Sequence, residues 1–149
     1  MYQKVSTNLN FVDREKETEK FWRENDIFQK SMKAREGCPT YTFYDGPPTA
    51  NGKPHIGHVL TRVIKDMIPR YRTMKGYMVP RKAGWDTHGL PVELAVEKML
   101  GLNGKEQIEE YGIEPFIEKC KESVWKYKGM WEDFSGTVGF WADMDNPYV

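Results

Sequence analysis

Residues 41–71 read YTFYDGPPTANGKPHIGHVLTRVIKDMIPRY and contain three kinds of segment in succession. The first four residues are aromatic or β-branched, which predicts a short buried strand. A loop rich in glycine and proline follows the strand. From Ile56 onward, apolar residues recur at spacings of three and four, which predicts an amphipathic helix. A strand, a loop and a helix in this order predict the start of a parallel α/β unit.

The same unit continues to a second predicted strand. Pro69 lies inside the periodic segment, and we expect a kink or an end of the helix there because proline cannot donate to the carbonyl of Lys65. Gly76 ends the unit, and residues 77–80 form the second strand. The loop at residues 84–86 follows it, so both loops are expected at the carboxyl edge of one sheet.

The flanking segments are predicted to be helical. A helix over residues 13–31, capped by Asp13, is expected in an N-terminal appendage that spans residues 1–38. After the second loop, helices are predicted over residues 93–100 and 105–111. A further helix begins near Pro115 and carries an apolar stripe interpreted as core packing, composed of Ile117, Cys120, Val124, Tyr127, Trp131 and Phe134. The tail at residues 136–149 is turn-rich, and no closing element is expected in it.

Composition excludes several classes of protein. The 149 residues suit about one domain, and 22 basic residues balance 22 acidic ones, which gives this segment no general affinity for nucleic acid. Cys38 and Cys120 are too few and too far apart for a metal site or a disulfide framework, and Cys120 is expected to be a buried thiol. The start of the chain resembles no signal peptide, and no apolar stretch could cross a bilayer. We therefore expect a cytoplasmic protein without a membrane partner.

All three histidines lie in two short motifs. His55 and His58 are three residues apart at the junction between loop and helix, where free backbone N–H groups and the helix dipole favour an anion. Gly57 between them lets a phosphate or a flat ring approach the backbone. The structural alternative is one capping histidine and one packed histidine. The position after a strand, with further glycines at residues 46 and 52, favours a phosphate site.

The second motif covers residues 84–93 and places Asp86 at the end of a predicted strand. Its carboxylate either caps the following helix or faces a cationic group of a ligand, and a neighbouring phosphate site favours the ligand. Pro47 and Pro48 are either plain turn residues or a rigid wall for a small apolar group. Trp85 is expected to pack in the core.

The two motifs together identify a family. Residues 44–58, YDGPPTANGKPHIGH, and residues 84–93, GWDTHGLPVE, resemble the signatures of the class I aminoacyl-tRNA synthetases in their isoleucyl form. The valyl form has a different string before the histidine motif, and the leucyl form departs at Thr87 and His88. The resemblance extends over essentially the whole chain.

The resemblance implies an α/β fold in which residues 39–149 form the first half of a Rossmann-like, parallel-sheet catalytic domain, ending about where the editing insertion begins. It implies ATP-dependent activation of isoleucine to an adenylate and transfer to tRNA. In that family, His55 and His58 are catalytic and contact the ATP phosphates, and Asn51, Gly52 and Gly57 also belong to the ATP site. In that family, Gly46, Pro47 and Asp86 form the amino-acid site.

The cofactors and partners are likewise implied by the resemblance. Magnesium accompanies ATP, and any zinc site belongs to the longer protein and not to this segment. The second family signature, Lys-Met-Ser-Lys-Ser, is absent from residues 1–149. The segment alone is therefore expected to contact tRNA little and to be inactive or very weak. Because one methylene contributes only about 1–3 kcal/mol of discrimination, the family edits misactivated valine.

Two other hypotheses stay open at this point. One is a different nucleotidyl-transferring enzyme with an H-x-G-H site, such as a cytidylyl- or pantoate-activating enzyme, although those lack the second motif. The other is a non-catalytic module that binds a nucleotide or a partner protein.

Overall fold

The structure, a computed structural model, describes residues 2, 4–7 and 9–149. Residues 1, 3 and 8 of the predicted appendage lie outside the described residues. Three parallel strands form the sheet in the order β1-β2-β3, with β1 at Phe43–Tyr44, β2 at Arg81–Gly84 and β3 at Asp143–Tyr148. The mixed α/β architecture with a parallel sheet confirms the predicted fold class.

Seven helices accompany the sheet in the described part of the chain. In chain order they are α1 at Phe11–Glu24, α2 at Ile27–Lys33, α3 at Gly57–Met74, α4 at Leu90–Leu100, α5 at Lys105–Tyr111, α6 at Ile113–Val124 and α7 at Lys128–Thr137. The prediction for α5 is confirmed at both ends. Helix α4 begins three residues earlier than predicted because Pro91 fits its first turn.

The single helix predicted over residues 13–31 is wrong, because the chain forms α1 and α2 instead. Asn10, and not Asp13, is the N-cap of α1, and its side chain accepts a hydrogen bond from the Asp13 backbone N–H at 3.4 Å. Asp26 separates the two helices with a left-handed backbone at φ 52°. The boundary that divides residues 1–38 from residues 39–149 stays a prediction.

The second strand lies four residues later than predicted. Residues 78–82 run beside the first strand through bonds from the backbone N–H groups of Tyr41, Phe43 and Asp45 to the carbonyls of Met78, Pro80 and Lys82. Regular pairing nevertheless occupies Arg81–Gly84, whose Arg81, Ala83 and Gly84 are buried. The central position in the sheet overrides the weak strand propensity of these residues.

Helix α3 connects β1 to β2, and one alternative predicted for it, an end at Pro69, is wrong. Pro69 does not end the helix, which continues to Met74. The apolar side of α3 does not pack on the sheet but is exposed to solvent, at Ile56, Leu60, Val63, Ile64, Met67, Ile68, Tyr71 and Met74. The side that faces the protein contains Arg62, Asp66, Pro69 and Arg70.

The tail does form a closing element, contrary to the sequence prediction. It supplies β3, which pairs in parallel with β2 through an irregular register between Lys82 and Gly84. Ala83, Phe140 and Ala142 form a buried cluster beneath this pairing. The apolar stripe of residues 117–134 is also divided, because α6 ends at Val124 and α7 begins at Lys128.

Tyr148 at the end of β3 fits only because position 84 has no side chain. A Cβ at Gly84 would lie 2.6 Å from the Cε1 and Cζ atoms of the Tyr148 ring. The Tyr148 hydroxyl also donates to the backbone carbonyl of Asp45, which ties the third strand to the first.

Replacing Gly84 with alanine should therefore destabilise the fold by about 1–3 kcal/mol, because the Tyr148 ring must leave its place. Urea unfolding followed by circular dichroism measures this. Gly129→Ala is the control, since no atom lies within 4 Å of its added Cβ. It should leave stability unchanged or raise it slightly. Equal unfolding midpoints for Gly84→Ala and the unmodified chain would contradict the packing described here.

Candidate active site

A cavity of about 500 Å³ lies between the loop after β1 and the buried face of α3. Its lining consists of Gly46, Pro47, Pro48, Thr49, Asn51, Gly52, Lys53, His55, His58, Thr61, Arg62, Lys65 and Trp131. Six of the eight site residues that the sequence predicted are among them. Gly57 and Asp86 are not, although both lie next to residues that are.

The two histidines form one unit at the start of α3. Their ring centroids are 3.8 Å apart, and the backbone N–H of His55 donates to Nδ1 of His58 at 3.0 Å. The backbone N–H of Gly57 donates to Nδ1 of His55 at 3.1 Å. A neutral imidazole whose Nδ1 accepts a hydrogen bond carries its proton on Nε2. Both rings therefore keep an Nε2–H donor for a ligand.

Gly57 serves the histidine pair directly. A Cβ there would lie 2.9 Å from Cε1 of His55, so only glycine lets the imidazole fold back onto the backbone. Because the ring fills the space above Gly57, a flat ligand ring in that place requires His55 to move.

His58 lies in a partly buried setting that disfavours its charged form. Trp131 presents an edge-on ring with its centroid 4.7 Å from that of His58. Burial, followed by the positive charges of His55 and Arg62, lowers the pKa of His58. The ring is therefore mostly neutral near pH 7 until an anion arrives.

Asp45, buried next to the lining residues Gly46, Arg62 and Lys65, is the anchor of the site. Its side chain is buried and accepts hydrogen bonds from Nη1 of Arg62 at 3.0 Å and from Nζ of Lys65 at 2.7 Å. Lys65 also donates to the carbonyl of Gly46 at 2.6 Å. These bonds hold α3 against the loop that follows β1.

Arg62 extends this network to α7 and to the tail. Its guanidinium carbon lies 4.4 Å from the ring centroid of Phe140 and 5.5 Å from that of Trp131. Trp131 in turn donates from Nε1 to the carbonyl of Gly52 at 2.8 Å. Burial lowers the pKa of Arg62, and Asp45 opposes the shift.

Asp86 is joined to the first loop by two hydrogen bonds. Its backbone N–H donates to the carbonyl of Pro48, and its carboxylate accepts from Oγ1 of Thr49, both at 3.0 Å. Asn51 makes a second connection by donating from Nδ2 to the carbonyl of Pro91 at 3.0 Å. Thr87 and His88 lie elsewhere, on the wall of a different cavity. We expected both motif loops to face one crevice. Only Asp86 of the second loop comes close to the first cavity, and it contacts the lining residue Thr49 without lining the cavity itself.

Sequence reasoning missed the individual importance of four residues. Thr61, Arg62 and Lys65 follow His58 by three, four and seven positions, the spacing that places them on its side of the helix. That spacing is present in the sequence, although the helix prediction rests on the apolar residues alone. Trp131 carried no signal beyond its place in an apolar stripe. Cys120, expected to be buried, is only half-buried.

No metal cluster accompanies these residues. Nowhere in residues 2, 4–7 and 9–149 do three or more His, Cys, Asp or Glu side chains gather in a way that could hold a metal ion. Among the described helices, none has both the length and the apolar character required to cross a membrane.

The chain also matches a known protein family. The family model described as tRNA synthetases class I (I, L, M and V) matches residues 17–149. The chain belongs to this family. The resemblance inferred from residues 44–58 and 84–93 is thereby confirmed.

Similar proteins within this family are isoleucine--tRNA ligases. The chain is 63% identical over 149 residues to that of Clostridium novyi (strain NT) and 60% identical to that of Clostridium acetobutylicum. It is 59% identical over 147 residues to isoleucine--tRNA ligase 2 of Bacillus cereus. The matches cover 99–100% of this chain, which spans 14% of the length of these relatives.

A solved structure shows the same fold. The chain is similar to LeuRS from Agrobacterium radiobacter K84 agnB2, solved in a ternary complex with tRNA and LeuAMS, with a TM-score of 0.63 at 21% identity. The match covers 95% of this chain and 16% of that one.

Changing Asp45 to asparagine should destabilise the fold by about 3–5 kcal/mol, because Arg62 would be left buried without a counter-charge. Urea unfolding monitored by tryptophan fluorescence measures the effect. Asp133→Asn is the matched control, since Asp133 is exposed on α7. If both variants unfold at the same urea concentration, Asp45 is not the anchor of the site.

Proposed function

We propose that this chain is the N-terminal part of an isoleucine–tRNA ligase and that its first cavity binds the triphosphate of ATP. One observation carries the proposal. His55 and His58, each left with an Nε2–H donor, and three cationic side chains line a single cavity, and none of its described lining residues is Asp or Glu. A cavity with this charge favours a polyanion. The identity to isoleucine--tRNA ligases supports isoleucine as the amino acid.

In the proposed reaction, a carboxylate oxygen of isoleucine attacks the α-phosphorus of ATP. The bond between that phosphorus and the oxygen bridging to the β-phosphate breaks, and pyrophosphate leaves. Hydrogen bonds from His55 and His58 to phosphate oxygens would strengthen as negative charge shifts in the transition state. The N-terminus of α3 adds fixed partial positive charge near the two histidines. Asn51 and Gly52, in the loop before the helix, line the same cavity.

Magnesium would enter with the nucleotide. Asp45, which contacts the lining residues Arg62 and Lys65, already pairs with both cations, and no acidic side chain is among the described residues that line the cavity. The phosphate oxygens would therefore supply its ligands, and the metal would neutralise phosphate charge. Zinc belongs to our proposal only for the longer protein.

The amino acid would bind on the side of the cavity formed by Gly46 and Pro47. Proline has few rotamers to lose, so it makes a rigid wall for a small apolar side chain. We assign the ammonium group to Asp86, whose carboxylate can exchange the hydroxyl of Thr49 for a charged donor. Asp45 is excluded from this role because its carboxylate is buried and already pairs with Arg62 and Lys65.

Transfer of isoleucine to tRNA would take place in the longer protein. This segment has 22 basic and 22 acidic residues, which provides no general basic surface for the nucleic acid. We expect the 149-residue chain by itself to show little or no isoleucine-dependent exchange of pyrophosphate into ATP.

Removing the imidazole of His58 should weaken ATP binding by the isolated chain about three- to tenfold, because one hydrogen bond at a partly exposed site is lost. Isothermal titration calorimetry measures the affinity. His88→Ala is the control, since that histidine lies outside the cavity. Equal affinity for the unmodified chain and His58→Ala would remove His58 from the phosphate site.

The same variants predict a dependence on pH. Because burial and neighbouring charges lower the pKa of His58, its imidazole is mostly neutral in the free chain, and a bound triphosphate should raise that pKa. ATP would then bind together with a proton. The affinity ratio of the unmodified chain to His58→Ala should therefore grow as the pH falls from about 8 to about 6. The ratio cancels the titration of ATP itself, and a constant ratio would show that His58 stays neutral.

Asp86→Ala, introduced into the full-length protein, should raise the Michaelis constant for isoleucine far more than that for ATP. It should also slow adenylate formation, because the attacking carboxylate loses its alignment. Pyrophosphate exchange at varied isoleucine and varied ATP separates the two constants. A defect confined to ATP would assign Asp86 to the nucleotide, and unchanged exchange would leave it without a role in substrate binding.

A further inference from the structure

A second cavity, of about 560 Å³, lies between α4, α5 and α6 and shares no lining residue with the first. One end is formed by the second motif at Thr87, His88 and Gly89. Neither the family resemblance nor the proposed ATP site gives this cavity a role. Its size falls within the range of small-molecule sites in proteins.

Most of the cavity wall is apolar. Val92 of α4 and Phe116 of α6 are buried and form its floor. Ile108, Ile113 and Ile117 form its sides, and the last two are about half exposed to solvent. A ligand that covered these two side chains would remove apolar surface from water, which favours binding.

The polar side chains of the cavity form no hydrogen bonds with one another in the described part of the chain. Across the described residues, no hydrogen bond or ion pair involves the side chains of His88, Glu93 or Cys120. Lys121, the one lysine or arginine of the lining, is paired with Glu118 at 2.7 Å. The Glu93 carboxylate is therefore the unneutralised charge of the cavity.

Glu93 is also close to the apolar interior. Burial and then the charge of Glu93 raise the pKa of the Cys120 thiol, which lines the same wall. A carboxylate beside an apolar floor with an aromatic ring suits a ligand with a hydrophobic body and a positively charged end.

We propose that this second cavity is a binding site for small hydrophobic primary amines in their protonated form. The hydrophobic body occupies the space between Val92, Ile108 and Phe116, and the ammonium group pairs with Glu93 at the rim. Thr87 and His88 bound this site directly after Asp86, so an occupant lies one loop away from the first cavity.

The test uses the 149-residue chain with ¹³C-labelled isoleucine δ1-methyl groups. Ile108, Ile113 and Ile117 line the cavity, whereas Ile64 and Ile68 of α3 and Ile56, its N-cap residue, are exposed and serve as internal controls. Titration with 2-phenylethylamine should shift the first three methyl signals saturably and leave the other three in place. 2-Phenylethanol, which has the same body without the charge, should bind about threefold more weakly.

Glu93→Gln should remove the difference between amine and alcohol, and Glu110→Gln, which changes an exposed glutamate of α5, should preserve it. Unshifted α3 methyl signals in the spectrum of each variant verify that it is folded. The comparison of amine with alcohol in the unmodified chain tests the proposal even if a variant fails to fold. Equal binding of both probes, or equal shifts at α3, would overturn the proposal. Shifts of the three cavity signals with protein concentration alone would overturn it in favour of a second copy of the chain.

Discussion

A buried carboxylate with two cationic partners holds this structure together. Burying Asp45 without partners would be costly, and Arg62 and Lys65 of α3 provide both charge and hydrogen bonds. The pairing fixes the helix against the end of β1. Through Arg62 it also reaches Phe140 and Trp131, so the tail and α7 depend on the same charge. The elements that form the cavity are therefore all connected to Asp45, either directly or through Arg62.

This anchor explains why α3 is oriented as it is. Its inward side carries Arg62, Lys65, Asp66 and Arg70, and each of these has a partner. Arg70 pairs with Asp66 and donates to the carbonyl of Gly139 at 2.6 Å, which connects the helix to the tail a second time. Polar bonds, and not an apolar stripe, thus attach this helix to the sheet. A helix that follows the amphipathic pattern in sequence can still turn its apolar side to solvent when its charged side is fully paired.

Much of the first loop and of the site could be predicted because the relevant residues are close in sequence. The strand at Phe43–Tyr44, the glycine–proline loop and the histidine pair follow one another within 16 residues, and local patterns define each of them. The orientation of α3 could not be predicted, since periodicity identifies an apolar side without saying what covers it. The roles of Trp131 and Tyr148 could not be predicted because each side chain bonds to a residue about 80 or more positions away in the sequence. The strand β3 could not be predicted because Asp143 and Asn146 usually form turns. The Asp143 carboxylate does accept turn-like hydrogen bonds from the backbone N–H groups of Asp145 and Asn146, both at 3.1 Å.

The hydroxyl of Tyr148 joins the carbonyl of Asp45, whereas Arg62 and Lys65 bind the carboxylate of the same residue. During synthesis Arg62 and Lys65 are added well before Tyr148. Residue 148 is added about 80 residues after residue 65, which at about 5–20 residues per second is a delay of roughly 4–16 s. During that interval the nascent chain can already pair α3 with β1, and the edge of β2 that later receives β3 is open. The contact between Tyr148 and Asp45 therefore marks the moment at which the three-stranded sheet is completed during synthesis.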